Sequence, residues 1–328
     1  MEVYGLLILG LLMLVYGADT LVDASVAIAK RAKVPDFVIG LTIIGIGTSA
    51  PELFVSVSSA IKGMGDVAIG NVVGSNIANI MLILGASAVV APLSMSATKF
   101  GRDIVGGILV ALGLTGLCYA PLALKGEAGL SWWQGLIMLA FFALYFYKVF
   151  KDKGEQKPQE PKRENEDYRF ADTRAWLLPI IAIAALAVML WGGNMFVNNA
   201  VEIAKLLGLS QAVIAITVIA IGTSLPELIT CLIAASKGNG ALALGNVIGS
   251  NIFNVLLILG TSSLIHPLSL GGITTVDLGV MIGSASLLSL WYYTGGREKI
   301  DRWEGCIFLA LYIAYIAWLL GAFKGLLA

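Results

Sequence analysis

The sequence predicts an all-α membrane protein of ten transmembrane helices, arranged as two inverted five-helix repeats with broken helices at the midplane. Three observations lead there. Of the 328 residues, 58% are hydrophobic and 13% charged, against roughly 45–50% and 25% in soluble domains, so hydrocarbon is the main solvent of the chain. Apolar runs close to the ~20 residues that cross a bilayer recur along it. Residues 42–85 laid on 217–260 need no gap and agree at 26 of 44 positions, which is an internal duplication at an offset of 175.

The apolar runs place spans at 3–28, 36–61, 66–91, 103–120, 131–150, 176–202, 211–236, 241–265, 276–294 and 304–323. The first begins at Glu2 rather than at a basic segment. Its continuation, "YGADTLVDASVAIAK" (16–30), falls at the same offset on "WGGNMFVNNAVEIAK" (191–205), so it reads as a span and not as a cleaved signal peptide. The second carries "GIGTSAPELF" (45–54) and the third "GNVVGSNIAN" (70–79). Two plain apolar spans close the first half, 1–150, whose repeated motif is 42–85. A polar stretch, 151–174, holds Pro158 and Pro161 and reads as a solvated linker too short for a regulatory domain. The second half, 175–328, repeats the order, with its motif at 217–260. Five helices per half is an odd number, so the second copy enters the membrane from the opposite side. Inverted repeats of this kind mark secondary transporters, whose substrate site lies near the midplane where the repeats meet.

Charge orients the chain. The 21 basic and 21 acidic residues cancel, and no nucleic-acid footprint is visible. With the N-terminus outside, all the basic residues except Lys62, Lys125, Lys205 and Lys324 fall on one side. The positive-inside rule then puts both termini outside the cell membrane and the linker in the cytoplasm. Cys118, Cys231 and Cys306 are far apart and form no C-x-x-C, so neither a disulfide framework nor a zinc site is indicated. His266, the only histidine, sits beside Pro267 at a predicted helix end and reads as an interfacial residue.

A proline inside a span removes an N–H donor, so Pro51 frees the carbonyl of Gly47 and Pro226 that of Gly222. Free carbonyls survive in a membrane only where they are buried in protein or line a cavity. Thr48, Ser49, Thr223 and Ser224 add hydroxyls at the same height, and Glu52 and Glu227 follow the prolines directly. A carboxylate at mid-membrane costs about 2.5–3.5 kcal/mol or more and marks an ion or proton path. No lysine or arginine lies near mid-helix to pair with it. Asn71, Ser75 and Asn79, and likewise Asn246, Ser250 and Asn254, recur every four residues as polar stripes. Gly70 with Gly74, and Gly245 with Gly249, form G-x-x-x-G pairs suited to close helix packing. Only oxygen ligands converge, and flexible dianionic oxygen sites suit hard cations, Ca²⁺ above all. Asp19 and Asp23, whose counterparts are Asn194 and Asn198, read as pathway-lining or helix-end groups.

With "GTSAPE" plus "GNVVGSNIAN" and "GTSLPE" plus "GNVIGSNIFN", the sequence resembles the sodium/calcium exchanger branch of the Ca²⁺/cation antiporter superfamily, in its prokaryotic form. The likeness covers most of the chain. It implies a diamond of four cation sites. Glu52 and Glu227 bridge, Thr48, Ser49, Thr223 and Ser224 supply side-chain or carbonyl oxygens, and Ser75 and Ser250 add hydroxyls. The carbonyls of Gly45 and Ala220 take flanking sodium sites, and Asn79 completes the first half's centre. At its counterpart, Asn254, some relatives, potassium-dependent ones among them, carry aspartate, so the resemblance points to K⁺-independent exchange.

The expected activity is thus exchange of Na⁺ for Ca²⁺ across the cell membrane by alternating access, with both ions as substrates, no cofactor, and no enzymatic step. The competing expectation keeps the scaffold and couples to protons, since buried glutamates accept H⁺ in place of Na⁺. An intramembrane hydrolase would need a positioned nucleophile, which the motifs lack. A scaffolding protein would show no cation-dependent thermal shift.

Overall fold

The computed structural model describes residues 2–94, 100–123, 128–151, 169–207, 220–294, 299–319 and 321. Its helices are α1 (Glu2–Ala32), α2 (Asp36–Thr48), α3 (Ala50–Ile61), α4 (Gly65–Val90), α5 (Phe100–Ala123), α6 (Trp132–Lys151), α7 (Leu177–Leu206), α8 (Ala220–Thr223), α9 (Leu225–Ser236), α10 (Gly240–Ile265), α11 (Thr275–Thr294) and α12 (Arg302–Leu319). Among the described residues eight helices are long and apolar enough to cross a membrane, and α2 with α3, bent by 45°, makes a ninth span when taken as one. The chain is a multi-pass membrane protein. Of the predicted span 211–236, residues 211–219 lie outside the described residues, and the rest is α8 and α9. Most of the predicted linker, 152–168, lies outside them too.

The centre of the bundle is α4 and α10. The α10 span is buried along nearly its whole length and α4 along most of its own, whereas α5, α6 and α12 leave most of their surface outward. Phe141, Leu144 and Tyr147 of α6 are exposed, as side chains that face lipid tails are. Gly245 and Gly249 let α10 meet α2 at backbone distance, since a Cβ on either would strike the carbonyl oxygen of Phe37 or Leu41. The expected close approach of Gly70 and Gly74 is not matched among the described residues. Gly70 meets only the Ile273 side chain and Gly74 meets nothing, and positions 212 and 216, which correspond to Phe37 and Leu41, lie outside the described set.

The duplication is visible as exchanged contacts. The most extensive helix pair is α1 with α7. A Cβ on Gly17 would stand 2.6 Å from Met189 N and 2.8 Å from Ala185 O, and one on Gly192 2.6 Å from Leu14 N and 2.8 Å from Gly10 O. Each residue in the first set has its offset-175 counterpart in the second. Two short antiparallel pairs do the same: β1 (Leu93–Ser94) pairs with β4 (Lys299–Ile300), and β2 (Gly129–Leu130) with β3 (Leu268–Ser269). Two-residue strands carry no periodicity, so the sequence reading had no signal for them.

Beyond the repeated motif the offset shortens to 170, yet the contacts persist. Ser131 N donates to Gln134 Oε1 at 2.6 Å just before α6, and Asp301 N donates to Glu304 Oε2 at 2.7 Å just before α12. These are side-chain caps on otherwise unpaired helix N-termini. Gln134 is fully buried and also donates from Nε2 to Leu117 O and Gly129 O. Gln134→Ala strands all three backbone groups, so thermal unfolding of the purified protein should show a loss of about 1–3 kcal/mol.

Candidate cation-binding site

The breaks that the prolines predict are present in both halves. Ser49 separates α2 from α3 and Ser224 separates α8 from α9, with Pro51 and Pro226 in the first turn of the following helix, where a missing N–H costs least. Glu52 and Glu227 lie in those first turns and are each 1% exposed. Both point inward, away from lipid.

Their contacts cross between the halves. Ser224 Oγ donates to Glu52 Oε1 at 3.3 Å, and Ser49 Oγ donates to Glu227 Oε1 at 3.3 Å. Each carboxylate is thus held by the serine at the other half's helix break. The Thr223 and Ser75 hydroxyls also face Glu52, Thr48 faces Glu227, and the two carboxylates lie within electrostatic reach of one another. Among the described residues neither carboxylate has an ion-pair partner.

The polar stripes reach the same place. Asn71 Nδ2 donates to the Glu52 carbonyl at 3.2 Å and to Ser56 Oγ at 3.0 Å. Thr48 Oγ1 donates to Asn246 Oδ1 at 3.2 Å, and Ser250 Oγ to the Gly45 carbonyl at 3.4 Å. Asn246 Nδ2 meets Cys231 Sγ at 3.2 Å, where the first half has Ser56. Ala220 opens α8.

Asn79 and Asn254 begin six-residue π segments, Asn79–Leu84 and Asn254–Leu259, and a third π segment, Gly40–Ile44, precedes the Ser49 break. π turns inside α-helices gather at functional sites because they re-aim the side chains beside them. Asn79 Nδ2 donates to Asn251 Oδ1 at 2.9 Å and Asn254 Nδ2 to Asn76 Oδ1 at 3.1 Å. Asn76 and Asn251 also donate to each other's carbonyls, at 3.1 and 3.3 Å. These two asparagines were missed by the i, i+4 reading, which steps over them. Their identity in both halves was the available signal.

What remains unpaired is telling. Among the described residues eight buried side-chain oxygens lack a hydrogen-bond partner: the hydroxyls of Thr20, Ser25, Ser87 and Ser262, and Glu52 Oε2, Glu227 Oε2, Asn79 Oδ1 and Asn254 Oδ1. The last four are two pairs under the duplication, carboxylate and amide oxygens from the repeated motifs. Desolvated oxygens without donors are expensive, and a hard cation is the kind of partner that such oxygens accept. Among the described residues no group of three His, Cys, Asp or Glu side chains converges, which leaves no soft-metal cluster there.

Asp19 and Asp23 do not join this centre. They are ion-paired with Lys237, at 2.7 and 2.6 Å, and with Arg169, at 3.0 and 3.5 Å. In this arrangement their carboxylates are thus taken up by these two cations and not turned to the glutamate pair. His266 is exposed at the end of α10, with its Nδ1 2.8 Å from the Pro267 carbonyl.

Comparison with known proteins agrees with this chemistry. The family model described as sodium/calcium exchanger protein matches residues 2–151 and 177–321. The sodium/calcium exchanger MaX1 of Methanosarcina acetivorans is 34% identical over 343 residues, covering 95% of this chain and 96% of that one. The inner membrane protein YrbG of Escherichia coli is 35% identical over 265 residues, covering 80% and 79%. Among solved structures, the sodium-calcium exchanger NCX_Mj, soaked with 2.5 mM Na⁺ and 10 mM Sr²⁺, superposes with a TM-score of 0.81 at 34% identity, covering 96% of this chain and 98% of that chain.

Proposed function

This chain belongs to the sodium/calcium exchanger family, and from that premise we propose that it exchanges Na⁺ for Ca²⁺ across the cell membrane by alternating access, without K⁺. The observation that carries the proposal is the pair of buried carboxylates, Glu52 and Glu227, each with an oxygen that has no hydrogen-bond partner, and neither with an ion-pair partner, among the described residues. Two negative charges are neutralised by one Ca²⁺ or by two Na⁺, so the two loads compete for the same oxygens. The break-point hydroxyls of Thr48, Ser49, Thr223 and Ser224, with Ser75, Ser250, Asn79, Asn254 and the carbonyls of Gly45 and Ala220, make up the remaining ligands.

Competition becomes coupling when the site can close only while filled. An unfilled dianionic site is costly to seal in hydrocarbon, whereas a neutralised one is not. The moving part in this reading is the α1 and α7 pair, which crosses the front of the site as one closely packed unit. Five helices in each half, inverted across 1–150 and 175–328 with both termini outside, would relate the inward-open and outward-open states by a pseudo-twofold axis in the membrane plane.

Uptake into reconstituted vesicles tests the reading. An outward Na⁺ gradient should drive ⁴⁵Ca²⁺ in, and a pH gradient without Na⁺ should not; uptake driven by the pH gradient alone would replace this reading with proton antiport. Asn254 supplies an amide and no third charge, so replacing external and internal K⁺ by choline is expected to leave Na⁺-driven uptake unchanged.

A further inference from the structure

The two ends of the α1 and α7 pair are not equivalent. From Gly17 to Ala29 every residue of α1 is buried except Asp19, Asp23 and Ile28. The related stretch of α7, residues 192–204, buries only Gly192, Gly193, Asn199 and Ala204. Likewise α1 packs along α9, while α7 makes no comparable contact with α3. Phe54 of α3 is left 74% exposed.

The chemistry at those ends differs in the same sense. Lys237, at the C-terminal end of α9, reaches one oxygen of each carboxylate: Asp19 Oδ1 at 2.7 Å and Asp23 Oδ1 at 2.6 Å. Arg169 takes the other oxygen of each, at 3.0 and 3.5 Å, with its guanidinium 6.0 Å from the Tyr16 ring. Two anions and two cations close a neutral square, and Arg31 Nη2 adds a bond to the Ala171 carbonyl at 2.6 Å. At the offset of 175 the lysine is retained as Lys62, but the carboxylates become Asn194 and Asn198. Those amides bond each other at 3.1 Å and are exposed. Among the described residues Lys62 has no ion-pair partner.

We infer that Asp19, Asp23, Lys237 and Arg169 form a one-sided latch, positioning residues that hold α1 against the core and close the cytoplasmic side of the transport path, with no equivalent among the described residues on the outer side. The inference rests on the exchanger reading for which side is cytoplasmic and for α1 as a moving helix. Lys237 is the tie between the moving helix and the core. Arg169 supplies the second positive charge, without which the two aspartates would hold a net negative charge around one lysine. Single exposed ion pairs contribute little, but a closed set in which each group serves two partners loses all its contacts at once when α1 slides. Partial exposure makes the latch sensitive to salt on that side. Its consequence is a resting bias towards the outward-open state, which substitution by the amides already present in the second half should relieve.

Hydrogen–deuterium exchange of the full chain in lipid nanodiscs tests this without any transported ion. Asp19→Asn with Asp23→Asn, and separately Lys237→Gln, should raise exchange of α1 residues 17–29 about tenfold while α10 is unchanged. Exchanging the charges, Asp23→Lys with Lys237→Asp, should restore protection. Unchanged exchange in the amide variant, a rise shared by α10, or failure of the charge exchange to restore protection would overturn the latch. Because the readout is backbone exposure, a chain that carried some other ion would leave this result standing. In sided vesicles, the amide variant should raise apparent Ca²⁺ affinity from the cytoplasmic face and lower it from outside, each in proportion to the fraction of its own state, the mark of a shifted population; general damage lowers both.

Discussion

Replacing Glu52 by Gln should abolish Na⁺-driven ⁴⁵Ca²⁺ uptake while leaving the protein folded, and Glu227→Gln should do the same. With one carboxylate gone, a bound Ca²⁺ leaves a net positive charge at mid-membrane, which costs about 2.5–3.5 kcal/mol or roughly a hundredfold in occupancy of the closed state. The new amide also brings an N–H₂ group that can donate to neighbouring oxygens left without a donor among the described residues, and so competes with the cation for them. Stability without ions should move the other way. Glu52 Oε2 is desolvated and has no hydrogen-bond partner among the described residues, so removing its charge relieves a penalty. The expected pattern is thus a melting temperature equal to or above that of the parent protein in chelator, no Ca²⁺-dependent rise, and no flux. A variant that melts earlier in chelator would show that Glu52 is a packing residue.

Gly245→Ala should be damaging in the opposite way, by unfolding the site rather than uncharging it. The added Cβ would run into the Phe37 carbonyl, where α10 crosses α2. Overpacking of this kind costs about 1–3 kcal/mol. Pushing α2 away also threatens the Thr48 to Asn246 and Ser250 to Gly45 bonds that bring the helix break to the polar stripe. Purified Gly245→Ala is therefore expected to melt markedly lower and to lose its Ca²⁺-dependent thermal shift. Gly116→Ala is the matched control, because nothing stands within 4 Å of its added Cβ. Equal melting of the two would contradict the tight α2 and α10 crossing.

Much of this was legible in the sequence because the membrane makes backbone errors expensive. Pro51 and Pro226 in apolar runs had to mark breaks, and a buried Glu beside each had to have a partner. The offset of 175 then paired every group across the centre, and the Ser49 to Glu227 and Ser224 to Glu52 bonds follow that pairing. Less legible were features that depend on how the halves dock. The π segments at Asn79 and Asn254 leave no trace in hydrophobic spacing, and Asn76 and Asn251 lie off the stripe they complete. Asp19 and Asp23 read from the sequence only as pathway-lining or helix-end groups, because their partners come from chain segments 146 or more residues away, which no local pattern connects to them.

The centre of the account is that one set of oxygens, anchored by Glu52 and Glu227, holds either ion. Equilibrium binding of ⁴⁵Ca²⁺ to the purified chain as Na⁺ is raised tests that most directly. The account predicts a single Ca²⁺ per chain, displaced by Na⁺ with a steepness greater than one, untouched by K⁺, and absent in Glu52→Gln. Calcium that stays bound at saturating Na⁺, or that Glu52→Gln still binds with parental affinity, would contradict it.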